Sequence, residues 1–269
     1  MSSTARSLAV FGHPGHELRL LHALRVLQAP SIFLTDGSAG EGVSRTAIST
    51  GLLKRLGLPD APAFRPLPDS GLYEALRSRD LDVFVGLVDR LAELFCSFAP
   101  DRLITDSAEG YNPVHDLCHF AVLAAVRKSG RNIPVFEIAL NYDPGDFAHA
   151  RAEDCLVYAL DADALDAKLD AMRAYIGEAG PGLAAEAEDL LARHGESGQA
   201  REILRPALQR AGYDSAFSAE APFFERHGLK RVREGKYAEA LTLSGHLAPV
   251  LDAMRDSAFD ALDKTACAS

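Results

Sequence analysis

The sequence predicts an α/β fold, a Rossmann-like, mostly parallel sheet with helices on both faces, followed by a helical C-terminal extension. Three observations point there. Short apolar runs alternate with helical stretches as far as Asp161, the β-α-β-α order that builds a parallel sheet. Those runs are four to eight residues long and bounded by Gly, Pro or Asp, as buried strands are. Beyond Asp161 the character changes to long stretches rich in Ala and Leu.

In chain order, "SLAVFG" reads as a buried strand and "ELRLLHALRVLQ" as the helix after it, with leucines at helical spacing. "SIFLTDGSAGEG" is a strand running into a Gly-rich acidic loop. "RTAISTGLLKRLGL" is a helix closed by Gly57, and "AFRPLPDSG" an extended segment ending in a turn. "RDLDVFVGLVDRLAELFCSFAP" is a long amphipathic helix stopped by Pro100. Then come a strand and loop in "DRLITDSAEGYNP", a helix in "VHDLCHFAVLAAVRKSG" and a strand in "IPVFEIAL". "CLVYALD" is the last strand expected. The segments "DALDAKLDAMRAYIGEAG", "GLAAEAEDLLARHGESGQAREILRPALQRAG" and "KYAEALTLSGHLAPVLDAMRDSAFDAL" all read as helical. Gly and Pro at 180–182 set the expected boundary between an α/β domain, 1–180, and a helical extension, 181–269.

Composition narrows the function. The chain has 269 residues, 48% of them apolar, enough for a sizeable core. With 28 basic against 38 acidic side chains the formal net charge is −10. That argues against a nucleic-acid partner, which calls for a basic stripe. No apolar run approaches the roughly 20 residues of a membrane span. The N-terminal apolar core is shorter than a secretory signal needs, and the four cysteines lack CxxC spacing. A reduced, cytoplasmic protein acting on a small molecule is the expectation. "GSAGEG" lacks the GK[ST] ending of a phosphate loop, and no GxGxxG follows the first strand, so nucleotide binding is not expected.

The chemistry gathers in loops after strands, where an open α/β sheet holds its ligands. "GHPGHE" places His13 and His16 directly after the first strand, and "YNPVHDLCHF" places His115 and His119 one helical turn apart. Three imidazoles with an open position suit catalytic zinc or another divalent transition metal. A short motif such as HxxH is weak alone; an ordinary polar turn also carries histidines. His119 reads as a packing group, and Cys118 as a small buried apolar residue. Asp36 in "LTDGS" is a turn former, or a carboxylate placed to hold a substrate hydroxyl.

These stretches, in this order, resemble the PIG-L or LmbE-like superfamily of zinc-dependent N-deacetylases. "GHPGHE" resembles the family's AHPDDE, "TDGSAG" its Gly-rich loop, "LPDSGL" its Asp-Gly turn, and "GYNPVH" its GGHPDH. "LDAKLDAMRAY" resembles its late strand-to-helix segment, and the likeness spans residues 6–177. It implies that His13, His16 and His115 hold the metal, with His16 standing where the family has an aspartate. It implies Arg45 and Glu109 as substrate contacts, and Tyr111 or Asn112 as stabilisers of the oxyanion. The family's general-base aspartate falls on Gly15, its HPDH histidine on Asn112 and the aspartate of HPDH on Val114.

Those departures have a physical reading. An imidazole in place of a carboxylate leaves the metal one negative charge short, so its bound water ionises more readily. A hydroxide already present at neutral pH needs a separate base less. Asp36, Asp106 or Glu109 would then deliver the proton to the leaving amine. The expected function is a metal-dependent amide hydrolase, an N-deacetylase of an amino sugar or sugar conjugate. The alternative is a retired relative that binds a sugar-like ligand or a protein partner without hydrolysing it.

Overall fold

The computed structural model describes residues 5–38, 42–141, 147, 150–180, 184, 188, 191–208 and 221–266. The expected boundary at 181–182, His149, Cys267 and parts of the 182–212 stretch lie outside the described residues.

A sheet of six strands is built from the chain between Ser7 and Pro206. The strands are β1 (Ser7–Phe11), β2 (Ser31–Phe33), β3 (Arg102–Asp106), β4 (Val135–Ile138), β5 (Leu156–Ala159) and β6 (Arg201–Pro206), in spatial order β2-β1-β3-β4-β6-β5. The first four in that order run parallel. β6 is antiparallel to both its neighbours. The α/β class and the mostly parallel sheet are therefore as the sequence predicts.

β6 corrects one element. The stretch "REILRP" lies in a segment that reads as helical, with charges that resemble a solvated face. In the fold Glu202 and Arg205 are buried at 1% and 2% exposure. Both charges are paired: Lys168 Nζ lies 2.8 Å from Glu202, and Arg205 reaches Glu137 across the β4–β6 pairing at 3.4 Å. Burial of a charge is tolerated when it is paired and hydrogen-bonded. Here pairing hides a strand behind polar letters.

The chain forms two compact units by contact, and it passes between them repeatedly. The first comprises Met1–Ser70, Pro100–Asp106 and Pro134–Ala207. It holds the whole sheet with a 3-10 turn (His16–Leu20), α1 (Leu21–Leu27), α2 (Thr46–Arg55) and α6 (Ala162–Ala179). Phe11, Leu24, Phe33, Ile104 and Leu204 meet in one apolar cluster. Leu18, Leu21, Leu52, Met172 and Tyr175 make another, between the 3-10 turn, α1, α2 and α6. Each such side chain contributes about 1.5–3 kcal/mol by leaving water.

The second unit comprises Gly71–Ala99, Ser107–Ile133 and Leu208–Ser269. In it α4 (Leu81–Phe98), α5 (Pro113–Lys128) and α8 (Ala248–Ala266) pack on one another. It also holds α7 (Phe223–Arg233) and most of α3 (Asp69–Ser78), whose first two residues belong to the first unit. No helix among the described residues is long and apolar enough to cross a membrane.

Candidate active site

In the first unit the loops after β1, β2 and β3 meet. The chain leaves β1 at Phe11, and the β1–β2 pairing continues one step further, with Thr35 N–H donating to Gly12 O at 3.0 Å. Gly12 N–H donates in turn to Asp106 Oδ2 at the end of β3, at 2.7 Å. His13, Thr35 and Asp106 are thus set by three adjacent parallel strands.

The tautomer of each imidazole follows from its partners. His13 Nδ1 lies 2.8 Å from Thr35 Oγ1 and 3.2 Å from Asp69 Oδ1. The Thr35 hydroxyl spends its only proton on Gly12 O, at 2.9 Å, so towards His13 it accepts. Nδ1 of His13 therefore carries hydrogen. His16 Nδ1 lies 2.9 Å from Asp106 Oδ2, a carboxylate with no exposure, and must donate to it. Burial holds the His16 imidazole well below its ordinary pKa, helped by His13, Arg45 and Arg19, while Asp69 pulls the other way. His16 is therefore held in its neutral form at pH 7. The two rings stand edge to face with centroids 5.3 Å apart.

The turn joining them is held from behind. Gly15 has φ +110°, a left-handed conformation that side chains rarely adopt. Its N–H donates to Glu17 Oε2 at 2.7 Å. Ser49 donates to the other oxygen of that carboxylate, and Tyr175 Oη lies 3.0 Å from Ser49 Oγ. Burial pushes the Glu17 carboxyl up to about 7, against the pull of the Ser49 and backbone hydrogen bonds. Burial also pushes the Tyr175 phenol up. A Cβ at position 15 would face Tyr175 Oη at 3.5 Å.

Asp36 and Arg45 also belong to this unit. Asp36 Oδ1 accepts from Ser38 N–H, from the Ser38 hydroxyl and from Asp69 N–H, so it fixes its own turn and the start of α3. The Arg45 guanidinium lies over Gly37, where an added Cβ would come within 2.7 Å of Nε. Arg45 Nε is buried without a hydrogen-bond partner among the described residues.

The second unit carries the other predicted residues. Asn112 caps α5: its Oδ1 accepts from Val114 N–H at 2.8 Å and from the Tyr73 hydroxyl at 3.3 Å. His115 follows in the first turn, buried at 8% exposure. The fully buried Asp116 carboxylate accepts from the backbone N–H groups of Glu109 and Gly110, at 2.9 and 3.0 Å. Tyr111 lies flat against Phe223, centroids 4.6 Å apart and planes within 3°. His119 is buried, edge-on to Phe120.

Among the described residues no group of three or more His, Cys, Asp or Glu is placed to hold a metal ion. What the first unit does assemble is two imidazoles with their partners. Thr35, Asp69, Ser49 and Tyr175 were not among the predicted site residues. "LTDGS" and "LPDSG" carry the first two, but turn composition hides their role. Ser49 and Tyr175 sit on helices and leave no local signal.

Three solved structures share the fold. The A40926 pseudoaglycone deacetylase Dbv21 superposes with a TM-score of 0.52 at 18% identity, covering 81% of this chain and 100% of its own. The conserved protein TT1542 from Thermus thermophilus gives 0.52 at 18%, covering 80% and 100%. A deacetylase of the teicoplanin biosynthesis pathway gives 0.50 at 15%, covering 76% and 100%. No protein-family model and no curated protein matches the sequence. At these identities the likeness is one of fold.

Proposed function

We propose that this chain, sharing its fold with deacetylases, is a metal-dependent hydrolase of a linear amide. Its substrate would be a small molecule, an N-acylated amino sugar or sugar conjugate. One observation carries the reading: two imidazoles in one turn, each with Nδ1 held by a hydroxyl or a buried carboxylate. Carboxylate-backed imidazoles of this kind are how proteins present histidine to zinc. The donor chemistry of His13 and His16 therefore fits zinc or a similar ion. His115, the third histidine implied by the family resemblance, lies in the second unit, and its share is read by substitution.

When bound, such an ion supplies Lewis acidity, polarising the amide carbonyl and making water a stronger acid. The chain's own residues do the rest. Thr35 holds the His13 ring and Asp106 the His16 ring through Nδ1. Glu17, Ser49 and Tyr175 hold the turn between the two histidines. Arg45 offers a cation beside the turn for a carbonyl or hydroxyl oxygen, and Asp36 keeps a second oxygen for a substrate hydroxyl. The resemblance would give Asn112 or Tyr111, both in the second unit, the stabilisation of developing negative charge, and Glu109 a substrate contact; like that of His115, their share is read by substitution.

A second reading, a non-hydrolytic binder, is favoured by Gly15. The position where the resemblance places a general base has a left-handed backbone that side chains rarely adopt.

Elemental analysis of tag-free protein tests the first reading, comparing wild type with His13→Ala, His16→Ala and His115→Ala. About one metal ion per chain in wild type, lost in the variants, together with acetate release from N-acetylated amino sugars, is expected. Wild type that stays metal-free after zinc is added sinks it. Metal without hydrolysis leaves the binder.

A further inference from the structure

We infer that Lys168 is a positioning residue for the His16 imidazole, acting through the backbone carbonyl of Arg19. Its place in a reaction rests on the hydrolase reading above. The Lys168 ammonium is buried in the first unit and has three N–H donors. They meet three acceptors from three segments. These are Glu202 Oε1 on β6 at 2.8 Å, Arg19 O in the 3-10 turn at 3.0 Å, and Gln199 O in the segment Ser197–Ala200 at 3.4 Å. Glu202 accepts in turn from two N–H groups in the first turn of α1, His22 at 3.2 Å and Ala23 at 2.6 Å. One ion pair thus grips the chain on both sides of Leu20 and Leu21, where the 3-10 turn passes into α1.

This grip lies one turn from His16. In a 3-10 helix, residues three apart stand one above the other, and Arg19 follows His16 by three within the turn His16–Leu20. A shift at the Arg19 carbonyl is therefore passed along the backbone to His16, whose Nδ1 must stay in reach of Asp106 Oδ2, 2.9 Å away. The Arg19 guanidinium adds a second tie, donating from Nη2 to Leu140 O just past β4. His13 is set differently: it precedes the turn and is held by Thr35, on the chain leaving β2. Lys168 therefore acts on one imidazole of the two.

Apolar packing alone does not give this control. Leu18 and Leu21 pack with Leu169 and Met172 of α6, and such contacts are non-directional, so they hold the turn on the helix without setting its register. Hydrogen bonds have preferred lengths and angles. A buried ion pair contributes little net stability beyond apolar side chains of the same volume. Stability alone thus leaves a Lys–Glu pair at this point unexplained, while three directional bonds converging on one nitrogen fix a position.

The test reads the rings in metal-free protein, so its failure is separable from that of the hydrolase reading. Lys168→Met alone leaves Glu202 buried without its cation, so the variant compared is Lys168→Met/Glu202→Gln, whose amide keeps an acceptor for α1. Proton–nitrogen NMR of full-length, chelator-treated protein follows the Nδ1 protons of His13 and His16 and their exchange with water. In the double variant the His16 proton is expected to exchange about tenfold faster than in wild type, and the His13 proton within about twofold of it. Zinc affinity, measured against a competing chelator, should fall about tenfold. A His16 proton that exchanges as in wild type overturns the inference. So does an equal acceleration at both rings, which would mean general loosening, and so does unchanged zinc affinity. Wild-type His16 exchanging as fast as the exposed His227 also overturns it. Wild type that takes up no zinc would fail the hydrolase reading instead, and the ring protons would still decide the positioning.

Discussion

Asp106→Asn tests the central geometry most sharply. One oxygen, Oδ2, accepts two hydrogen bonds, from Gly12 N–H at 2.7 Å and from His16 Nδ1 at 2.9 Å, with no solvent access. The amide oxygen of the replacement can take the same position and accept both, so the shape survives while the charge goes. Hydrogen bonds to a charged group contribute about 1.5–3 kcal/mol and neutral ones about 1 kcal/mol. Losing the charge from two bonds should therefore destabilise the metal-free protein by about 2 kcal/mol. The larger signal should be in the metal. His16 would lose the carboxylate that keeps its Nε2 basic and aligned, which typically lowers metal affinity about 10- to 100-fold. The assays are urea denaturation of chelator-treated protein and zinc titration against a competing chelator. Zinc affinity equal to wild type, with the stability loss present, would refute the claim that Asp106 prepares His16 as a ligand. Unchanged stability would refute the buried double acceptor itself.

The remaining expectations follow from neighbouring features. Gly37→Ala should cost about 1–2 kcal/mol for the left-handed backbone at φ +69°, and it should displace Arg45, whose Nε the new methyl would meet. Thermal melts, together with substrate KM once an activity is found, read the two effects separately. Lys168→Met leaves Glu202 charged and buried without its cation; a loss of about 3–5 kcal/mol is expected in denaturant. Adding Glu202→Gln should recover part of it, because the carboxylate also accepts from His22 and Ala23 N–H and its amide replacement keeps an acceptor there. Gly15→Asp should not raise acetate release: at φ +110° the new side chain is strained and faces Tyr175, so stability falls without a working base. A gain in rate would show that the turn can re-form around an aspartate.

The fold was legible where local pattern and tertiary role agree. β1 to β4 are apolar runs whose burial on both faces is what a parallel sheet requires, and their letters say so. α5 carries its own start signal, Asn112-Pro113, with the asparagine as cap and the proline at the first helical position. β6 was hidden because its charges are neutralised by residues far away in sequence, Lys168 and Glu137. No window of six residues contains that information. The site divides in the same way. His13, His16 and Asp36 announce themselves as polar residues at strand ends. Asp69 and Tyr175 matter through contacts that only the folded chain makes.

Gly15 shows what the structure adds to a motif. As a letter it marks the loss of an aspartate from a known pattern, and the loss looks like a simple subtraction. In the fold the same position has a backbone conformation suited to glycine, an N–H held by Glu17, and a tyrosine phenol 3.5 Å from where a Cβ would stand. The substitution of His16 sits one residue on, in a turn whose geometry depends on that glycine. The two changes therefore belong to one local structure. Restoring an aspartate at position 16 alone should then alter the donor set while leaving the turn intact. If the metal-bound protein is active, His16→Asp should move its activity optimum to higher pH, since a carboxylate ligand makes bound water a weaker acid. A pH–rate profile with an unmoved optimum would show that the charge at position 16 does not govern the reaction.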